Sequence, residues 1–599
     1  MCTPTGDRIR ATLPVVLALL ITAYGGVLRL NVITSRYGPI QRPAWARVLG
    51  DRVAPIARHL EPGMYAWPAE EHPYVGGDPI TYLKFAREMR SFYQAHVREP
   101  VFLAITRASL WLLDGQDVGI SFASAAMSTA GIFATYLLGS AAFSRVVGLL
   151  AALGLAIDYH AISWSADGWR DDTFTTIFIL TAWAFVKLLN QPRLSNAVLS
   201  GVLSGAACLT RITAISWIAP ALLLTVMRGR DRERRPLVMG ALAAAIAALL
   251  VAPYLINCAR VTGDPLIAIN AHTRYYRAGE GLDYSSPQSA LDYIRGKLSR
   301  RPLYQADTVV TGIFVWPFQN KWSGYNLWLP HLTDILKWCA VAGLLLFLTS
   351  PNGRLLLVLL LSSLVPYAFT WNIAGGGEWR FTMHVYPIYL IAAASVPVWV
   401  SRTAWSLHLE HERPAVRSSR TWFAVAAVLG AAVLARSAYM RLPYYVQREA
   451  LTRGEPVTIA AGDRDEIFYT KQWLPPTTEG TVTARVVVGE RAVIELPLPE
   501  RRSYRLTIRM DGVTPETPRT VAVLLNGRLL RRLGLDWDPD RVGTYSVDVD
   551  PDFVRPGRAV LQLVAERAIP ARDAGPRYTW IAPDTPVSLR VWYVRIHPL

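Results

Sequence analysis

Runs of about twenty apolar residues, the length that crosses a bilayer, recur through the first 440 residues and then stop. They fall at about 12–33, 118–140, 144–163, 173–189, 195–210, 212–227, 236–256, 334–350, 354–371, 383–401 and 421–440. This pattern predicts about eleven transmembrane helices. The two short runs inside 195–227 meet at Arg211. One continuous helix would leave that guanidinium near mid-bilayer, at a cost of about 2.5–3.5 kcal/mol on insertion scales. Two short helices with Arg211 at the far surface avoid the cost.

After Met440 the period changes. Ile494, Leu496 and Leu498 alternate with polar positions, as do Tyr504, Leu506, Ile508 and Met510. VAVLLNGRLL carries Asn526-Gly527 between two apolar stretches, a two-residue hairpin turn because both residues tolerate positive φ. AVLQLV and the closing VSLRVWYVRI add two more strands. The predicted fold is a polytopic α-helical membrane protein, residues 1–440, followed by a C-terminal all-β sandwich of jelly-roll type within residues 441–599.

Composition agrees with this division. The 599 residues are 52% hydrophobic and only 18% charged, with a mean hydropathy of +0.23. A soluble chain carries about a quarter charged residues. The four cysteines lie in or near apolar segments and make no disulfide scaffold. The net charge of +17 does not mark a nucleic-acid binder, because much of the Lys/Arg excess sits in short loops between apolar runs. Basic residues there set orientation. The loop RGRDRERR at 228–235, Lys187 with Arg193, and the 402–420 loop face the cytoplasm in an eleven-span arrangement with the N-terminus inside. The loops at about 34–117 and 257–333, and everything after about 441, then face outward. Abundant Ala and Arg suit a GC-rich bacterial genome, and the expected location is the bacterial cytoplasmic (inner) membrane.

Four stretches carry candidate chemistry. In the first outer loop, Asp78 opens an amphipathic segment with Tyr82, Phe85, Ala86, Met89 and Phe92 at helical spacing. Arg98-Glu99-Pro100 opens a second short apolar helix, proline being at home in a first turn. Asp78 is either a helix cap or a reacting carboxylate. The connection SADGWRDDTF crowds Asp167, Arg170, Asp171 and Asp172, more acid than a turn requires. It is either a solvated helix start or a place for an acceptor hydroxyl, a positive charge or a divalent metal. The metal is the one cofactor left open. GGGEWRFTMHVYP carries Glu378 and Arg380 beside His384 and Tyr386. Its glycines permit close backbone approach, and a guanidinium there suits a phosphate or snorkels to headgroups. The second long loop holds His272, Arg274, Tyr275, Tyr276 and Arg277, then Trp316, Trp322 and Trp328. The tryptophans read as an interfacial belt, and the Arg/Tyr cluster as a candidate entrance for a lipid phosphate. No Walker A motif, dinucleotide fingerprint, HExxH or CxxC pair is present.

In order and sidedness these features resemble the GT-C membrane glycosyltransferases, closest to their protein-O-mannosyltransferase-like and aminoarabinose-transferase-like branch. The resemblance covers about 8–440. It rests on Asp78 leading to Arg98-Glu99-Pro100, on Arg170-Asp171-Asp172, on Leu209-Thr210-Arg211, and on Arg380 before Tyr386-Pro387. The chain departs from that branch in having Asp78-Pro79 where an Asp-Glu pair is common, and in carrying its soluble domain at the C-terminus. The segment from Trp473 through Pro499 is similar to sandwich domains attached to other bacterial membrane glycosyltransferases.

The resemblance implies a polyprenyl-phosphate-linked sugar as donor and a glycan, lipid or protein as acceptor, with membrane lipids and no nucleic acid as other partners. It implies Asp78 as general base in an inverting transfer, and Arg380 beside the departing phosphate. Asp171 or Asp172 would position the acceptor. Arg98 and Glu99 would shape the pocket with Tyr82, Arg170, His272, Arg274, Tyr275 and Glu378. A flippase of lipid-linked sugars, and a non-catalytic membrane protein with a carbohydrate-binding ectodomain, are the alternatives. The first would more often show internal repeats and broken helices at the midplane, and no such repeat is evident.

Overall fold

The computed structural model describes residues 4–36, 78–227, 235–271, 331–368, 382–409, 441–479, 482–535, 542–557, 559–578 and 581–599, with a few single positions between them. The chain divides into two compact units. One comprises residues 1–299 with 308–432, and the other residues 300–307 with 433–599.

The first unit is helical. Its described helices are α1 (Pro4–Arg36), α2 (Asp78–Glu88), α3 (Pro100–Leu112), α4 (Gly119–Ala142), α5 (Arg145–Ile157), α6 (Tyr159–Ser165), α7 (Asp171–Asn190), α8 (Leu194–Thr210), α9 (Ile215–Met227), α10 (Arg235–Thr262), α11 (Leu332–Phe347), α12 (Pro351–Ala368) and α13 (Tyr386–Leu409). Among the described residues five helices are long and apolar enough to cross a membrane, or up to seven if each bent pair is one span. The unit is a multi-pass membrane region. Ten of the eleven expected apolar runs coincide with described helices, and the run at 421–440 lies almost wholly outside the described residues.

Three of these runs are involved in bends, one within itself and two at their junction. The run at 144–163 is bent by 60° between α5 and α6. Asp158 causes the break: it takes an extended backbone conformation and its Oδ1 accepts from the Ala161 amide at 2.6 Å, capping α6. The runs at 334–350 and 354–371 form a pair bent by 117° between α11 and α12.

Close packing follows from small residues, as expected where no hydrophobic force separates helix from lipid. A Cβ on Gly131 of α4 would come within 2.7 Å of Thr176 Oγ1 on α7. Gly201 and Gly205 of α8 stand as close to α10, where added Cβ atoms would meet Ala243 O at 2.7 Å and Leu250 Cβ at 2.9 Å. α7 is the most enclosed of the spans, with 83% of its apolar window buried.

The second unit is an all-β sandwich. A helix through 441–452 leads into it, and Leu451 joins its core. One sheet runs β3 (Thr477–Glu479), β4 (Val482–Val488), β12 (Pro586–Pro598), β6 (Tyr504–Gly512), β9 (Thr544–Val549), with β1 (Val457–Ala460) and β11 (Ile569–Pro570) also paired to β12. The other runs β2 (Tyr469–Lys471), β5 (Arg491–Leu496), β10 (Ala559–Ala565), β7 (Thr520–Leu525), β8 (Arg528–Gly534). All pairings are antiparallel. Both sheets feed one core: Ile494, Val523 and Leu561 from one, Leu506, Ile508 and Val594 from the other. The Asn526-Gly527 turn joins β7 to β8 with φ of 53° and 82°, the two positive values the dipeptide predicts.

Candidate functional site

The candidate site begins where α2 begins. Asp78 is its first residue, so the carboxylate sits at the positive end of a helix. Arg98 Nη2 donates to Asp78 Oδ1 at 2.9 Å, and the Tyr82 hydroxyl, one turn along the helix, donates to Asp78 Oδ2 at 3.3 Å. The Asp78 side chain keeps 32% of its surface exposed, against 14% for Arg98. Tyr82 is buried, with Arg98 and Arg170 stacked over its ring at 5.3 and 5.7 Å. Burial raises its hydroxyl above the usual tyrosine range, while the two guanidinia act the other way.

The loop before α3 sets Arg98. Its backbone amide donates to His96 Nδ1 at 3.0 Å, and the Tyr254 hydroxyl of α10 donates to His96 O at 2.7 Å. Burial lowers the His96 pKa and favours the neutral imidazole. Glu99 occupies the N-cap position of α3 but makes no capping bond there. Its carboxylate reaches inward instead: Oε2 accepts from Arg170 Nη1 at 2.5 Å, and Oε1 from the Ile212 amide at 2.8 Å. One side chain thus joins α3, the turn before α7, and the junction of α8 with α9.

Arg211 lies at that junction, and here the structure corrects the sequence expectation. The chain does break at Arg211, which caps α8 in an extended conformation. The side chain, however, is 8% exposed rather than at a free surface. Its Nη2 donates to Asp171 Oδ1 at 2.7 Å and its guanidinium stacks over Phe174 at 5.2 Å. A buried guanidinium needs a carboxylate and hydrogen bonds to stay, and both neighbours come from α7. Of the two readings of the turn at 167–172, a solvated helix start or a place for an acceptor hydroxyl, a positive charge or a metal, the structure closes in its end and sets a positive charge, Arg211, on Asp171. Arg170, Asp171 and Asp172 are all buried, because α7 is packed among α4, α8, α9 and α12. Asp172 Oδ2 accepts from Ser124 on α4 at 2.9 Å. Gly168, with φ +77°, turns the chain into this corner, where a Cβ would press on Ile120 at 3.0 Å.

The structure therefore brings together Asp78, Tyr82, Arg98, Glu99, Arg170 and Asp171 with Arg211 in one connected network, and sets Asp172 beside it. His272, Arg274, Tyr275, Glu378 and Arg380 lie outside the described residues. Among the described residues no three His, Cys, Asp or Glu side chains converge as a metal cage. Sequence reasoning missed a second buried polar group. Tyr386 donates to Asp158 Oδ2 at 2.7 Å and is hydrogen-bonded to Tyr325. Arg29 of α1 donates to Ser128 on α4 at 2.9 Å. Arg29 and Asp158 each stand as an ionisable residue inside an apolar run, and such a residue marks a polar site by default.

Residues 97–256 match the family model described as dolichyl-phosphate-mannose-protein mannosyltransferase. The resemblance to the GT-C glycosyltransferases is borne out over that stretch. It contains Arg98, Glu99, Arg170, Asp171, Asp172 and Arg211, with Asp78 upstream. No curated protein matches the chain. Among solved structures, the oligosaccharyltransferase AglB from Archaeoglobus fulgidus, in complex with an inhibitory peptide and a dolichol-phosphate, is 14% identical at a TM-score of 0.40, over 73% of this chain and 56% of its own. This chain thus spans little more than half the length of that protein. ArnT from Cupriavidus metallidurans, bound to undecaprenyl phosphate, is 15% identical at a TM-score of 0.40, over 66% of this chain and 73% of its own. A family 35 carbohydrate binding module from Clostridium thermocellum is 14% identical at a TM-score of 0.17, over 24% of this chain and 99% of its own.

Proposed function

We propose that this chain is an integral membrane glycosyltransferase that moves a sugar from a polyprenyl-phosphate carrier to an acceptor hydroxyl. The observation that carries this reading is the contrast within the network. Asp78 is partly open at a helix start, while Glu99, Arg170, Asp171 and Arg211 are buried and bound to one another. A reacting carboxylate must be reachable, and its scaffold must be held by packing and hydrogen bonds.

In the proposed step Asp78 takes the proton of the acceptor hydroxyl as its oxygen attacks the anomeric carbon. The carbon–phosphate-oxygen bond breaks with inversion and the lipid phosphate departs with the bonding pair. General-base assistance of this kind is worth roughly 10²–10⁴-fold. Arg98, already on Asp78, orients the carboxylate. Arg380 is assigned to the departing phosphate, where a guanidinium stabilises the developing charge electrostatically. Asp171 acts through Arg211 as a positioning residue.

The membrane is assigned as a bacterial cytoplasmic membrane, with the reaction on its outer side. A lipid-carried donor suits that side, since its sugar can face outward while its tail stays in the bilayer. Glycan, lipid and protein hydroxyls are the acceptor classes.

The test is incubation of purified full-length protein with a panel of polyprenyl-phosphate sugars, reading released lipid phosphate. Asp78→Asn should insert normally and lose release by at least about 10²-fold. Wild-type turnover in that variant removes the base assignment, and no release from any donor by the wild type removes the glycosyl-transfer reading.

A further inference from the structure

The outward face of one sheet of the sandwich is half covered and half open. At one end Val486, Val513 and Val587 are buried with Ala571, Ala574 and Tyr578 of the segment between β11 and β12. The other half, across β1, β12, β6 and β9, faces outward. Its register sets Thr458, Arg595, Thr507 and Ser546 side by side in one row, and Ala460, Tyr593, Arg509 and Thr544 in the next. The residues between them, Ile459, Val594, Ile508 and Val547, fill the core, so the two rows point away from it. Four strands about 4.8 Å apart make this open face about 14 Å wide.

The carboxylate beside these rows is already taken. Arg505 Nε donates to Asp548 Oδ1 at 2.6 Å, and its Nη2 donates to Asp548 Oδ2 at 3.1 Å. That fork, with the charges of Arg505 and of Arg531 on β8, holds the Asp548 carboxyl below the usual carboxylate range. Arg595 is exposed, leans over the Tyr593 ring at 5.4 Å, and donates from Nε to Thr458 Oγ1 at 3.1 Å. Arg509 stands opposite Tyr593 in the register, and its Nε has no partner. Among the described residues neither arginine is ion-paired.

Two guanidinia therefore flank one half-exposed aromatic ring on a floor of hydroxyls. A guanidinium fork takes a carboxylate, the ring offers a flat apolar surface, and the hydroxyls of Thr458, Thr507, Ser546 and Thr544 can each donate and accept. That mixture matches a sugar ring, which has C–H groups on its faces and hydroxyls at its rim, when it also bears an acid. No exposed aliphatic side chain longer than alanine stands in the two rows. A lipid surface would have nothing to bury there, and a protein partner would find no apolar anchor. One exposed ion pair is worth little, so the ligand must engage both arginines at once, as a chain with repeated acid groups does.

We propose that this face binds an acidic polysaccharide, a chain of sugars carrying uronate carboxylates. Arg509 and Arg595 each take a carboxylate, and Tyr593 lies under a sugar ring between them. The proposal stands whether or not the helical unit transfers sugars, and its test reads binding alone.

The test uses the full-length protein in phosphatidylcholine nanodiscs, with binding read by calorimetry. Oligogalacturonate should bind, and neutral dextran should not. Arg509→Gln combined with Arg595→Gln should weaken oligogalacturonate binding by about tenfold or more. Arg491→Gln combined with Arg532→Gln removes the same charge from exposed positions on the other sheet and should leave binding within about twofold. No binding of oligogalacturonate by the wild type overturns the proposal, as does unchanged binding in the first pair. An equal loss in both pairs assigns the binding to general charge attraction and overturns it too, and so does dextran bound as tightly as oligogalacturonate. Flotation with phosphatidylglycerol vesicles that the first pair abolishes, without oligogalacturonate binding, assigns the face to lipid headgroups and overturns it. If the first pair does not fold, Arg595→Gln alone should weaken binding about threefold, and no change in that variant overturns the proposal.

Discussion

Glu99 and Arg170, 71 residues apart in sequence, meet at 2.5 Å between Oε2 and Nη1. Both side chains are under 10% exposed. The bond holds the loop that carries Arg98 to the turn that opens α7, and so fixes where Asp78 finds its partner.

Removing one side of such a pair strands the other charge. Glu99→Ala should cost about 3–5 kcal/mol, a fall in midpoint of about 3–6 °C for a unit of this size. Glu99→Met combined with Arg170→Met should recover part of the loss, because no buried charge is then left over. Thermal unfolding of the three variants checks this, and equal midpoints for wild type and Glu99→Ala would contradict it.

Arg211→Lys keeps the charge but loses the planar fork and the stack on Phe174. A loss of about 1–2 kcal/mol is expected from the hydrogen bond and the ring contact. Asp171→Asn should give a loss of the same sign, and the double variant less than the sum, since the two residues share one interaction. A double-mutant cycle on unfolding midpoints measures the coupling, and strict additivity would remove the pair from the account.

Acid should loosen the loop that carries Arg98. The unfolded chain protonates His96 below about pH 6.5, whereas burial holds its folded pKa lower. Between the two values the unfolded state binds more protons. The His96 contribution is therefore present above the unfolded pKa and is lost as the pH falls through the folded one. The midpoint should drop between pH 7 and pH 5, and His96→Gln should flatten that slope while its amide oxygen still accepts from Arg98. An identical slope in the variant would assign the acid sensitivity elsewhere.

In the sandwich, Asn526 does more than turn the chain. Its Nδ2 donates to Phe553 O at 2.8 Å, and its Oδ1 accepts from the Val560 amide at 3.0 Å. Asn526→Ala loses both bonds and strains a φ of 53°. A cost of about 2–3 kcal/mol follows. Asn526→Gly should cost less, because it loses the bonds without the strain. Protease resistance of 441–599 within the full chain reads the order wild type, Gly, Ala.

The division into an apolar helical part and an alternating β part was legible because both periods are written in local composition. The hairpin at Asn526-Gly527 was legible for the same reason, since positive φ is a property of the dipeptide. Arg211 was legible as a break between helices, but its burial was not. Whether a guanidinium meets water or Asp171 depends on a helix 40 residues away. The 60° bend at Asp158 was hidden because an apolar run looks continuous until one side chain chooses to cap a new helix.

The sequence alone determined that this chain crosses a membrane several times, ends in a two-sheet β domain, and places acidic and basic residues at a few helix ends. Hydrophobic period and turn chemistry act over a few residues, so they can be read along the chain. Only the tertiary structure decided which carboxylate stays open and which are consumed in pairs. Asp78, Glu99, Asp171 and Asp172 are alike in composition, and what separates them is which guanidinium or hydroxyl the packing of distant helices brings within 3 Å.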